Sequence, residues 1–253
     1  GGTATSIGIT PSDPNPTTDV PLFNNKSFTY DGISDAIAMG NVLNLADDGT
    51  DAYSFSLWFK TTNSGVQQFI GKSATNGYNV YTISGTIYFG LGTYGGGGIW
   101  GGGAIGSGVY NGSWQHLVLT YDGSQDISGF TIYYNNLSYS ISSTQNTTPI
   151  GVSTANHFMI GARGNTGTPS LEFDGSIDEA SFFNSELSAS DVATIYNSGA
   201  PNDISALSPL GWWRAEQVTF DGSNWTMIDQ GSGANNGTSV SMPLTSRTSD
   251  VPT

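Results

Sequence analysis

The chain has 253 residues, no cysteine, and 20 acidic side chains against 6 basic ones, a formal net charge of −14. A surface of that sign repels phosphate, which argues against nucleic acid and anionic membranes as partners; the lack of cysteine excludes a disulfide framework and thiolate metal sites. Hydrophobic residues make up 36% and charged ones only 10%, so a real core is available and solubility falls to Ser, Thr, Asn and Gly, the profile of many short strands joined by polar turns.

Residues 1–22 carry Pro11, Pro14, Pro16 and Pro21 without apolar periodicity, which predicts an extended N-terminal arm. Ile7, Ile9, Val20, Leu22 and Phe23 are the sizeable apolar groups there. Ordering such an arm costs about 1 kcal/mol or more per residue, so these side chains are expected to dock on a ready-made surface such as a neighbouring subunit. Gly1 in place of Met has the look of a processed or truncated start. No signal peptide or run of transmembrane length is visible.

Strand patterns begin at Phe23. Phe55, Leu57 and Phe59 alternate with Ser56, Trp58 and Lys60, which points the first set at the core. Gly90–Gly108 holds eleven glycines around Tyr94, Ile99 and Trp100, with Tyr110 just beyond. No Lys and no helix follow, so it is not a phosphate loop. It reads either as a glycan- or partner-binding loop built on Tyr94, Trp100 and Tyr110, or as a rim loop that folds Trp100 onto its own sheet.

Gln115–Tyr121 reads as a strand buried on both sides for part of its length. Phe130–Tyr134 and Leu137–Ile141 flank Asn135-Asn136, a hairpin whose two central residues accept positive φ. Ser176–Phe183 is a further strand. Ser188–Ser198 reads as the one helix: Ser188 is its N-cap, Asp191 completes a capping box, Leu187 and Val192 form a staple, and Gly199 ends it. Leu210–Arg214 and Trp225–Asp229 precede a Gly/Asn turn. Residues 23–242 share one pattern and are taken as one sandwich, with 243–253 as a C-terminal tail.

Catalytic patterns are sparse. Glycan-cleaving sandwiches need paired carboxylates on one strand face. Glu172-Phe-Asp174 comes nearest, but Ser176 and Ile177 stand where a further Glu is required. His116 and His157 lie far apart in sequence, without a metal-protease spacing or a nucleophile elbow, and read as structural. The expectation is a non-enzyme.

Several of these pieces in order resemble a laminin-G-like, concanavalin A-like domain. Phe28–Gly32 followed by Asp35 is similar to that family's opening "FDG…D" strand, and Ser54–Lys60 to its "fTisaWvk" strand. Trp114–Gly123 is similar to "W-h-h-v-a-l-t-y-D-G", Phe158–Gly161 to the next "iG" strand, and Phe173–Phe183 with the following helix to "f.G.iDEvriyn.aLs". Leu210–Ser239 resembles a stretch that usually precedes the "FDG" strand, so the order looks permuted, a layout similar to structural proteins of marine bacteriophages. The resemblance implies an all-β, antiparallel two-sheet jelly-roll sandwich with one short helix. It also implies a structural Ca²⁺ at Asp178, faced by Asp31 or Asp35, the alternative being that Asp178 caps a turn. Asp47–Asp51 reads as a turn rather than a calcium loop.

Two functions are consistent with this. One is a structural or surface-display subunit of a virion or extracellular assembly, of decoration or fibre type, whose partners are other subunits, displayed on the virion surface or outside the cell. The other is a carbohydrate-binding adhesion module whose partners are surface glycans. Neither engages nucleic acid or inserts into a membrane.

Overall fold

The computed structural model describes residues 24–73, 76–152, 154–164 and 168–253. In chain order its strands are β1 (Ser27–Asp31), β2 (Ala36–Gly40), β3 (Tyr53–Lys60), β4 (Gln67–Ser73), β5 (Gly77–Ile83), β6 (Thr86–Gly92), β7 (Gly98–Ala104), β8 (Gln115–Tyr121) and β9 (Phe130–Tyr134). There follow β10 (Leu137–Tyr139), β11 (Ser142–Asn146), β12 (Phe158–Ile160) and β13 (Asp174–Phe183), then the helix α1 (Ala189–Tyr196). The chain closes with β14 (Gly211–Phe220), β15 (Trp225–Asp229), β16 (Gly237–Val240) and β17 (Arg247–Thr248).

The strands pair antiparallel in two layers. In the first, β3 lies between β8 and β13; β9 and β10 continue beyond β8. The first half of β13 pairs with β1 and its second half with β14, while β17 edges β1. The second layer runs β11, β7, β6, β5, β4, β12, β2, β16, and β15 links β16 back to β14 along one side. This is the all-β antiparallel sandwich with one short helix that the sequence pattern predicts.

Phe55, Leu57, Phe59, Leu117, Leu119, Ile160 and Ile177 are all buried in one aromatic-rich core, as their period of two requires. The expected polar alternation fails on the other face of β3, where Ser56 and Trp58 are buried as well. That face is roofed by α1: the Tyr196 ring stacks on Trp58 at 5.8 Å, and Val192, Ile195, Leu187 and Trp212 form a second apolar cluster beneath the helix. A helix laid on a sheet makes both faces of the covered strand interior.

Ser188 Oγ accepts from the Asp191 amide at 3.2 Å and Asp191 accepts from the Ser188 amide at 3.0 Å, the predicted capping box. The helix stops earlier than Gly199, because Asn197 turns left-handed at φ 43° and Ser198 follows at φ 60°. Asn135 and Asn136 take φ 49° and 64° and make the two-residue turn between β9 and β10.

Two segments depart from expectation. Gly90–Gly108 is largely not a loop, since it contains the end of β6 and all of β7, whose registers run Gly90 opposite Trp100 and Tyr88 opposite Gly102. Residues 243–253 are not a free tail: Arg247 and Thr248 pair with β1, and Asp250 meets Lys60 and accepts from the Trp114 indole at 3.0 Å. The arm residues Ile7, Ile9, Val20, Leu22 and Phe23 lie outside the described residues. No helix among the described residues is long and apolar enough to cross a membrane.

Candidate functional site: an aromatic cleft and a buried carboxylate cluster

The hairpin of β5 and β6 turns at Ser84 and Gly85, both with positive φ, and so sets Tyr81 directly opposite Tyr88. Their rings stack at 5.2 Å on the sheet face that points away from the core. One row along, Asn79, Gly90 and Trp100 line up across β5, β6 and β7. Alternate positions of these strands, Val80, Ile87, Leu91 and Ile99, go into the core.

Glycine makes this face possible. A Cβ on Gly90 would fall 2.3 Å from the Trp100 ring, so the indole lies flat over the β6 backbone. A Cβ on Gly102 would fall 2.8 Å from Tyr88. The glycines that looked like loop residues are sites of close ring approach within a strand.

The turn between β6 and β7 projects Tyr94, 63% exposed, edge-on to Trp100 at 5.1 Å. Gln145 of β11 pins that turn. Its amide nitrogen donates to the carbonyls of Thr93, Gly96 and Gly98 at 3.1–3.2 Å, and its oxygen accepts from the Gly95 amide at 2.8 Å.

Tyr81, Tyr88, Tyr94 and Trp100 thereby line an open cleft of about 380 Å³, with Leu171 and Arg163 among the other residues on its wall. That volume lies at the small end of the range for small-molecule sites. Gln68 Nε2 donates to the carbonyls of Ile70 and Val80, and the Thr144 hydroxyl to that of Trp100, so these two polar groups are held by backbone. The Trp100 indole N–H is buried and has no hydrogen-bond partner among the described residues. Of the three aromatic residues singled out from sequence, Tyr94 and Trp100 meet here. Tyr110 does not: it is packed against the core from the 3₁₀ turn at Ser107–Tyr110. Sequence reasoning missed Tyr81 and Tyr88, although the near-palindrome of Tyr81–Tyr88 about Ser84-Gly85 carried the signal.

The second feature lies in the first layer. The pairing of β13 with β3 slips between Asp178 and Ser181, and Glu179 takes φ 51°. This bulge directs both Asp178 and Glu179 to the same place. Carboxylate oxygens of Asp178, Glu179 and Glu216 lie within 4.8 Å of one another. Glu179 accepts from the Trp212 indole at 2.7 Å and from Arg214 Nε at 2.8 Å, and Glu216 accepts from the amides of Asn25 and Lys26 at 2.7 and 2.8 Å. Among the described residues neither oxygen of Asp178 has a well-formed hydrogen bond, although the backbone amides of Glu179 and Ala215 lie close enough to pull its pKa down against burial.

Burial drives the Asp178 carboxyl well above its ordinary range, with Glu179 and Glu216 adding to the shift, and burial pushes Glu179 up to about 7 against the pull of Arg214. Two buried carboxylates and a part-buried third beside one guanidinium, one of them without a well-formed hydrogen bond among the described residues, fit a hard divalent cation.

The partners of Asp178 in this cluster are therefore Glu179 and Glu216, not Asp31 or Asp35. The Asp31 carboxylate is spent on the amides of Ile33, Ser34 and Asp35 at 2.9–3.1 Å, and backbone donors hold its pKa low. Asp35 is buried and raised to about 6, first by desolvation and then by Asp31. Asp48 and Asp51 cap a turn: Asp48 accepts from Thr50, and Asp51 from the Ala46 amide. His116 is buried against Trp58 and hydrogen-bonded to Ser56 at 2.9 Å; burial takes it down to about 3 and keeps it neutral. Asp174 opens β13 at the surface, where it accepts from Asn63 at 3.2 Å.

A two-layer antiparallel sandwich with an aromatic cleft on one outer face defines a lectin-type architecture. The sequence profile of the concanavalin A-like lectin/glucanases superfamily, in its laminin G form, matches residues 31–193, and the chain belongs to that family. No curated protein matches the sequence. Among solved structures, one similar to this chain is a protein from Bacteroides ovatus to which carbohydrate binding has been ascribed: 15% identity, TM-score 0.60, over 92% of this chain and 62% of that one. Another is a variant of the NanB sialidase from Streptococcus pneumoniae, at 22% identity and TM-score 0.51, over 69% of this chain and 28% of the sialidase. The binding domain of Paraclostridial Mosquitocidal Protein 1 has 13% identity and TM-score 0.50, over 64% and 41% of the two chains. The chain thus spans less than two thirds of the length of each, and likeness at these identities concerns the fold.

Proposed function

We propose that this chain is a non-catalytic carbohydrate-binding module, working outside the cell, whose site is the cleft of Tyr81, Tyr88, Tyr94 and Trp100. The observation that carries this is the clustering of four aromatic rings on a solvent-facing sheet, where an apolar ring face can stack against the C–H face of a sugar. The lectin/glucanase family of the chain, and the Bacteroides ovatus protein of like fold to which carbohydrate binding is ascribed, support it. A binding role, rather than cleavage, is supported by the lining: among the described residues it contains neither Asp nor Glu. The acidic cluster of Asp178, Glu179 and Glu216 is assigned to a structural Ca²⁺ in the opposite layer. The comparisons lend no support to a virion subunit, and the arm on which that expectation rests lies outside the described residues.

Binding to a panel of oligosaccharides by calorimetry, with Tyr94→Ala beside the parent chain, tests the reading. Tyr94 is mostly exposed, so its loss leaves the melting curve in place. Affinity for the bound oligosaccharide is expected to fall about tenfold, the equivalent of about 1.4 kcal/mol and within reach of one stacked ring. Equal affinity of the two proteins for every ligand bound would move the site elsewhere.

A further inference from the structure

We infer that Gln68 determines the specificity of this cleft: its Oε1 accepts a hydrogen bond from a free sugar hydroxyl, so the glycan taken is one that is unsubstituted where it meets β4. The inference rests on the carbohydrate-binding reading above and deepens it.

A bulge puts Gln68 in place. The register of β4 on β5 runs Gln68 opposite Tyr81 and then Ile70 opposite Val80, which leaves Phe69 as the extra residue. Phe69 and Ile70 are both in the core as a result, while Gln68 lines the outer cleft, at the end of the row that continues through Tyr81 and Tyr88. The Gln68 side chain fills the gap that the bulge leaves in the ladder: Nε2 donates to the carbonyls of Ile70 at 2.9 Å and Val80 at 3.0 Å. Its backbone amide donates to the Leu171 carbonyl at 2.8 Å, which ties the residue to the facing wall.

The two side-chain bonds settle which end of the carboxamide is which, because only the amide nitrogen can meet a carbonyl oxygen. Oε1 is thereby an acceptor of fixed position in a buried side chain on the cleft wall. Among the described residues nothing donates to it, Arg163 included. It differs in kind from its neighbours. The phenol hydroxyls of Tyr81, Tyr88 and Tyr94 turn to either role, whereas a carboxamide oxygen only accepts. Glu172, one residue beyond Leu171, is an acceptor as well when ionised and supplies no proton.

A sugar stacked on the rings carries its substituents at the rim, toward the walls, and takes the place of water there. A hydroxyl at Gln68 restores the bond that the water made. An O-methyl or O-acetyl group brings no donor and leaves the oxygen unpaired. The rings stack on either form, so the discrimination falls to Gln68.

The test is calorimetry on the intact chain with the β-1,4-linked hexaoses of glucose, mannose and galactose, each beside its fully O-methylated form. The parent is compared with Gln68→Lys, which keeps a donor for the two carbonyls but has no acceptor, and with Gln68→Glu, which keeps acceptors but loses the donor. All six probes are neutral, so the added charges attract none of them. The parent is expected to bind at least one free hexaose about tenfold or more tighter than its ether. Gln68→Lys should stay near the parent melting temperature and lose about tenfold of that preference; Gln68→Glu should melt lower and keep it. Methylation disturbs other contacts too, and these cancel when the preference of a variant is divided by that of the parent. Loss of preference in step with melting temperature, greatest in Gln68→Glu, would make Gln68 a filler of the bulge and overturn the inference. An unchanged preference in Gln68→Lys, with binding still weakened by Tyr94→Ala, would overturn it and leave the glycan site standing, as would absence of binding to all six probes while another oligosaccharide binds in a Tyr94-dependent way. Binding irrespective of both Gln68 and Tyr94 would overturn the carbohydrate reading of the cleft as well.

Discussion

Asp178 is the residue on which the physical chemistry of this protein turns. Without a cation, the folded chain keeps protons on Asp178 and Glu179 that the unfolded chain, with carboxyls near about 4, releases. The folded state then binds more protons, so these groups make stability fall as pH rises from about 4 to beyond 7. His116 works in the opposite sense: held down to about 3, it costs stability as pH falls below its ordinary value of about 6.5. Above about pH 7 the histidine is silent and the carboxyls set the trend until about pH 8, where Lys72, held down to about 8 by burial, begins to work against them. In chelator, the melting temperature is therefore expected to fall between about pH 7 and 8. Millimolar Ca²⁺ should raise it and remove the fall, because the ion binds the ionised form, and Asp178→Asn should abolish both effects. Superimposable melting curves with and without Ca²⁺ across that range would show that the cluster is not a metal site.

At the scale of elements, the helix and the β6–β7 turn make separate predictions. Ser188 satisfies an otherwise orphaned amide at the start of α1, and α1 covers Trp58. Ser188→Ala should cost about 1 kcal/mol in a denaturant titration and leave glycan affinity unchanged. Gln145 carries little of the core but ties four backbone groups of the turn that presents Tyr94. Gln145→Ala should weaken oligosaccharide binding about as much as Tyr94→Ala, with a smaller loss of stability than Ser188→Ala. The reverse pattern, a lower melting temperature with full affinity, would make Gln145 a structural brace only.

The molecule as a whole is larger than the segment that defines its family. The matched region ends at residue 193, yet β14 to β17 pair with β13, β2 and β1, and Trp213 packs on Phe158 at 5.6 Å inside the common core. A chain ending at Gly199 would open both layers along one side and expose Phe28, whose ring meets Trp225 at 5.4 Å. Such a truncation is expected to unfold without a cooperative transition, whereas the full chain melts in one step. A sharp transition from the shortened chain would show that residues 200–253 are an appendage.

The period-two runs at Phe55–Phe59 and Gln115–Tyr121, the Asn135-Asn136 turn and the Ser188/Asp191 cap were legible in the sequence, because each depends on neighbours within a few residues. The sandwich class followed from them. Local pattern does not reveal which strand is roofed, so it places Trp58 off the core face but not under α1, where the fold buries it. Gly90 of β6 and Gly102 of β7 read as loop because their purpose is a partner strand away, under Trp100 and Tyr88. The same distance hid the two clusters. Glu216 reaches Asp178 only because β14 lies beside β13, and Arg163 reaches the aromatic face only because the chain returns past β4 after β12. Composition determined the sign of the surface and the material of the core; long-range strand pairing decided where the few rings, acids and bases that matter would meet.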